Sequence, residues 1–131
     1  MSAGGGTIRV LCWSDWSEPK EVYPKGINGE IAEYLNGVEG LAARTGQLSD
    51  PEQGLSAEAL AEADVLVWFG HSHHREVSDE SVERVVKRIT DGGMGFVPLH
   101  SSHMCRAVTT LWGTSGEIAS WREADEWQRV E

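Results

Sequence analysis

Hydrophobic and polar residues alternate along this chain in two rhythms, short continuous apolar runs and longer stripes spaced three or four residues apart. The run TIRVLCW at 7–13 consists of consecutive β-formers and predicts a strand covered on both faces, as in a parallel sheet. From 26 to 38, Ile27, Ile31, Tyr34, Leu35 and Val38 form one stripe and predict a helix, weakened towards its end by Gly37 and Gly40. A second strand is weakly signalled at 41–48. The stretch TGQLSDPEQGLS that follows is turn-forming, punctuated by Asp50-Pro51 and Gly54, with Ser56 placed to cap a short helix containing Leu60.

The clearest strand is VLVWF at 65–69, closed by Gly70. A helix over 79–90 follows. Ser78 is its cap, Asp79 and Glu80 suit its positive first turn, and Val82, Val85, Val86 and Ile89 are its buried stripe. Lys87 and Arg88 suit its far end, and Gly92-Gly93 stops it. MGFVPL at 94–99 reads as another strand, and Pro98, which lacks a ladder donor, predicts an edge or a bulge there. Met104, Ala107, Val108 and Leu111 make a last helical stripe ended by Gly113, with Ser102 as its expected cap. Strand and helix alternate throughout, which predicts an α/β three-layer sandwich around a mostly parallel sheet.

With 131 residues there is room for one domain, expected over 7–131 after a flexible leader at 1–6. The leader has neither a basic region nor an apolar stretch, and no apolar run approaches the roughly 18 to 20 residues that cross a bilayer. A cytoplasmic protein with no membrane partner is expected. The 21 acidic residues against 11 lysines and arginines repel polyanions, so nucleic acid is not an expected partner either. Cys12 and Cys105 make no disulfide framework and no CxxC motif. Cys12 reads as a small buried thiol, and Cys105 as a weak candidate nucleophile.

The candidate chemistry lies in two windows, His71, His73 and His74 after one strand, and His100 and His103 after the next. In open parallel sheets, ligands bind beyond the carboxyl ends of the strands, where strand order reverses. Asp15, Trp16 and Glu18 follow the first strand at that same end, and Glu76, Ser101, Ser102 and Arg106 lie beside the histidines. Imidazoles with a carboxylate suit general acid–base transfer and hydrogen bonding to a sugar. The same groups, His71, His73, His100 and His103 with Asp15, Glu18 or Glu76, suit zinc or another divalent metal, although no HExxH spacing occurs. Solvated or packed histidines with no shared task are the third reading. Ser101-Ser102 sits between a strand and a helix, but LHSSHM is not GxSxG. Amides near Gly70 and Ser101-Ser102 are candidate anion donors. Trp13, Trp16 and Trp112 are candidate platforms for sugar rings, whereas Trp68 belongs to a buried strand.

In order and spacing, VYPKGINGEIAEYL at 22–35, VLVWFGHSHHREVSDESVERVVKRI at 65–89, MGFVPLHSSH at 94–103, LWGTSG at 111–116 and WREADEWQRV at 121–130 resemble the ThuA-like, or trehalose-utilisation, family of the class I glutamine amidotransferase-like superfamily. The resemblance implies a flavodoxin-like sandwich and a role in the metabolism of trehalose or a related disaccharide. It does not imply glutaminase activity. His100 or a neighbour stands where amidotransferases place their cysteine, and no cysteine–histidine–glutamate triad can be assembled. Relatives read GIH where this chain has Gly26-Ile27-Asn28, carry a cysteine at the position of Gly116 and a serine–lysine pair at Cys105-Arg106, and have a histidine in the first loop, which WSDWSEPK lacks. They also continue further, so WREADEWQRVE is expected to begin a turn and strand, and the chain to be truncated at its carboxyl end.

Two functions are therefore expected. In the first, the chain binds or acts on a small sugar or keto-sugar, with His71, His73, His100, His103 and Asp15 in catalysis and with Trp16, His74, Glu76, Ser101, Ser102 and Arg106 in binding. In the second it is a non-catalytic truncated paralogue that dimerises or docks, a homo-oligomer being the simplest assembly.

Overall fold

A computed structural model describes residues 5–117. Residues 1–4 of the leader expected at 1–6, and the turn and strand expected from WREADEWQRVE at 121–131, lie outside the described residues. Four strands, β1 (Ile8–Ser14), β2 (Leu41–Gln47), β3 (Val65–Phe69) and β4 (Gly95–Leu99), form one all-parallel sheet in the order β2-β1-β3-β4. Four helices connect and cover them: α1 (Gly26–Asn36), α2 (Ala57–Ala61), α3 (Asp79–Thr90) and α4 (Arg106–Trp112). The expected flavodoxin-like α/β sandwich is the architecture found.

Side-chain alternation along β1 separates the layers. Val10 and Cys12 face α1 and pack with Ala32, Ile31 and Leu35. Leu11 and Trp13 face the other way, joining Leu66 and Trp68 of β3 beneath Leu60, Val82, Val85, Ala107 and Val108 of α2, α3 and α4. Trp13 and Trp68 are register partners and stack with ring centroids 3.9 Å apart. The expected edge is borne out, since β4, with Pro98, ends the sheet among the described residues.

Three local expectations need correction. Tyr34 and Val38 are not core residues of α1, being 74% and 39% exposed. Ile31 and Leu35 of the expected stripe do pack on the sheet, and the buried Asn28 and Ala32 complete the contact face. Met104 lies in a 3-10 turn (His100–Met104), because the extended Cys105 (φ −68°, ψ 150°) separates that turn from α4. Ser102 does not cap α4. Its hydroxyl accepts from Gly70 N–H (2.9 Å) and donates to the Trp68 carbonyl (3.1 Å), tying the two histidine loops together. The caps expected at Ser56 and Ser78 are formed, accepting from Ala59 and Ser81 N–H.

Candidate functional site

The chain runs from β1 outward to β2 and then crosses back to β3, so the loops leaving β1 and β3 diverge above adjacent strands. That reversal opens a crevice at their carboxyl ends. Register then aligns the third loop. Phe69 pairs with Leu99, so His71 and His100 leave the sheet at the same level.

Asp15 closes the base of the crevice. It is 4% exposed, and its Oδ2 accepts the backbone N–H groups of His71 (2.9 Å) and His73 (3.1 Å). Its Oδ1 accepts from Ser17 N–H (3.1 Å) and the Ser17 hydroxyl (2.6 Å). Burial pushes the carboxyl up, but the Ser17 hydroxyl and the three N–H donors outweigh it and hold the carboxyl below its ordinary range. With both oxygens committed, Asp15 positions the histidine loop and is not free to exchange protons with a ligand.

His71 Nδ1 lies 2.8 Å from Ser101 Oγ, which itself reaches the Gly70 carbonyl at 3.1 Å. When the single hydroxyl hydrogen goes to Gly70 O, His71 Nδ1 donates to Ser101 and Nε2 is left as the basic nitrogen. His100 begins the 3-10 turn with φ 51°, a conformation disfavoured for a residue bearing Cβ. Its ring centroid stands 6.5 Å from that of His71, with the planes inclined by 51°. Both line a cavity of about 450 Å³ with Glu18, Tyr23, Ile27, Phe69 and Leu99.

The other histidines are arranged differently. His73 Nδ1 pairs with Glu76, and both line a second cavity of about 550 Å³ with His74, Arg75 and Arg106. Arg106 pairs with Asp79 and donates to the Val77 carbonyl, which fastens α4 to the start of α3. Both ring nitrogens of His74 are buried and lack a hydrogen-bond partner among the described residues. Burial lowers its pKa, Asp15 partly opposing. His103 Nδ1 lies 3.3 Å from the His100 carbonyl. The single crevice expected from the sequence is thus two concavities, with His71 and His100 in one and His73 and His74 in the other. Among the described residues no group of three or more His, Cys, Asp or Glu side chains is arranged to hold a metal ion. His71, His73, His100 and His103 are not brought together as a ligand set, because Ser101 and Glu76 engage two of them in separate places.

The aromatic and cysteine expectations also change. Trp13 is 1% exposed and donates to the Gln53 carbonyl (2.7 Å), so it is core and not a sugar platform. Trp16 carries the Lys20 ammonium 3.6 Å over its ring, which occupies one face. Trp112 is 67% exposed but lines a different cavity with Ile89 and Phe96. Cys105 is fully buried, and desolvation raises its thiol to about 11, which disfavours the nucleophilic thiolate. Cys12 is buried as expected and raised likewise.

Sequence reasoning missed the apolar lining, Tyr23, Ile27, Phe69 and Leu99. The last two were recoverable, being the final strand residues before each histidine window. It also missed Gln53, whose side chain donates to the Glu76 carbonyl (2.7 Å) and accepts from Ser78 N–H and the Ser81 hydroxyl (2.9 Å each). Gln53 and Glu52 both adopt positive φ (59° and 50°), costing about 1–2 kcal/mol each. The hydrogen bonds that Gln53 makes offset this cost and fix the far end of the His73–Glu76 turn. No protein-family model and no curated protein matches this chain.

Proposed function

We propose that this chain binds a small sugar or keto-sugar in the His71–His100 cavity, as a cytoplasmic trehalose-utilisation-like protein without glutaminase activity. One observation carries the reading. Two imidazoles from separate loops, 6.5 Å apart, border a cavity of about 450 Å³ whose other walls are the apolar and aromatic Ile27, Tyr23, Phe69 and Leu99 and the carboxylate of Glu18. An aromatic and aliphatic floor with a few convergent polar groups is the usual composition of a small-molecule site, and this volume falls within the ordinary range. Ser101 holds His71, Asp15 holds the backbone beneath it, and such support is what proton transfer requires.

In the enzymatic form of this reading, one neutral imidazole takes a proton from a ligand hydroxyl or acidic carbon, and the other donates to the leaving or carbonyl oxygen. The resemblance to trehalose-utilisation proteins suggests trehalose, its 3-keto form and related glycosides as the first ligands to try. Purified protein is expected to bind at least one, and His71→Ala and His100→Ala to weaken that binding while His73→Ala leaves it nearly intact. Folded protein that neither binds nor converts any of them overturns the assignment.

A second reading, a non-catalytic docking or dimerisation module, is favoured by β4. It is an edge strand among the described residues, and Val97, which it carries, is 45% exposed. Sedimentation across a range of concentrations tests it. A concentration-independent monomer contradicts self-association.

A further inference from the structure

We propose that Glu18 makes the His71–His100 cavity selective for a neutral polyhydroxylated ligand over the corresponding sugar acid or sugar phosphate; this rests on the carbohydrate reading and names its ligand class. Glu18 is 5% exposed, yet it lines that cavity. It accepts from the Ser14 hydroxyl (2.8 Å to Oε2) and from Ile27 N–H (2.8 Å to Oε1). No lysine, arginine or histidine among the described residues forms an ion pair with it. Lys20, close in sequence, instead donates to the carbonyls of Trp16 and Glu18 and lies over the Trp16 ring. Held by hydrogen bonds alone, the Glu18 carboxylate keeps a negative field that no cation among the described residues cancels.

A second acceptor lies beside it. Asn28 is 3% exposed; its amide nitrogen donates to the Gly46 carbonyl at 2.9 Å, while its Oδ1 is buried with no donor among the described residues. A Cβ built on Gly26 would meet Asn28 Oδ1 at 2.4 Å and Glu18 Oε1 at 2.8 Å, so both oxygens crowd Gly26, behind the cavity lining. Sugar hydroxyls supply donors to a cavity lined by Glu18. A ligand carboxylate or phosphate supplies none and brings a like charge, and the overall charge of −10 adds to the repulsion. At a separation of about 5 Å and an effective dielectric constant near 20, the repulsion amounts to roughly 250-fold in affinity.

Calorimetric titration of the full chain at pH 8, above the range in which imidazoles ordinarily carry charge, tests the proposal. The ligand pairs are trehalose with trehalose 6-phosphate, and glucose with glucuronate. The neutral member of a pair is expected to bind roughly 250-fold more tightly. Glu18→Gln should bring the two members close to parity, and Glu18→Asp should keep the neutral preference. Should Glu18→Gln fail to fold, the wild-type pairs and Glu18→Asp still decide the matter. Equal binding of both members by wild type, or full discrimination by Glu18→Gln, overturns the role of Glu18 and leaves the carbohydrate reading standing. Binding of no sugar of either charge overturns both.

Discussion

The carboxylate of Asp15, at the end of β1, accepts the backbone N–H of His71, at the end of β3, at 2.9 Å. With the parallel bond to His73 it joins the two loops that diverge at the reversal in strand order. The ligand end of the sheet is thereby built on a buried carboxylate that orients imidazole-bearing backbone.

Replacing Asp15 with alanine is expected to leave those N–H groups without their acceptor. An unsatisfied buried donor costs about 1–3 kcal/mol, so a loss of roughly 2–4 kcal/mol is expected in urea unfolding. Asp15→Asn retains one acceptor oxygen and should lose less. Amide exchange at His71 and His73 should quicken in both variants, and unchanged exchange contradicts the anchoring role.

Acidification should destabilise the protein in two steps. His74 has its folded pKa lowered by burial from the ordinary 6.5, so the unfolded chain binds the proton first and stability falls as pH drops below about that value. Asp15 is lowered from 3.8, so its contribution, fully present above that pH, is lost as pH falls further through its folded value. His74→Leu removes two buried nitrogens that lack a hydrogen-bond partner among the described residues, and should flatten the upper step in a plot of melting temperature against pH. An unchanged upper step would assign it to other groups.

Gly26→Ala tests the crowded wall beside Glu18. The left-handed φ of 76° alone costs a Cβ-bearing residue about 1–2 kcal/mol, and contact with Asn28 Oδ1 adds to that. Asn28→Ala introduced with it should restore part of the loss. Additive effects in the double-mutant cycle would deny the contact.

Much of this was legible in the sequence. Continuous apolar runs at β1 and β3 and the capped stripe of α3 required only periodicity and helix-end chemistry, and Pro98 pointed to an edge or a bulge at β4, of which the edge is found among the described residues. The position of the histidines beyond strand ends followed as well. Their division between two cavities did not, because it is set by contacts across 56 to 58 residues from Asp15 and across 30 residues from Ser101 to His71. Ser102 was misread for the same reason, since its local position suits a cap while its tertiary partners, Gly70 and Trp68, take the hydroxyl. Trp13 looked available to a ligand until its stacking partner on the neighbouring strand was known.

Cys105 should be inert to thiol reagents in the folded state. It is fully buried and its thiol is raised to about 11. Ellman titration should report little free thiol at pH 8 in native protein and two equivalents in denaturant, matching the two cysteines of the chain. Rapid native reaction of Cys105 would contradict its burial.

Imidazole resonances in ¹⁵N-histidine-labelled protein, titrated with trehalose and its 3-keto form, distinguish a ligand in the cavity bordered by His71 and His100 from one in the cavity faced by His73 and His74. Saturable shifts are expected at His71 and His100, with little change at His73 and His74. Shifts confined to His73 and His74, or none at any histidine at saturating ligand, would contradict that expectation.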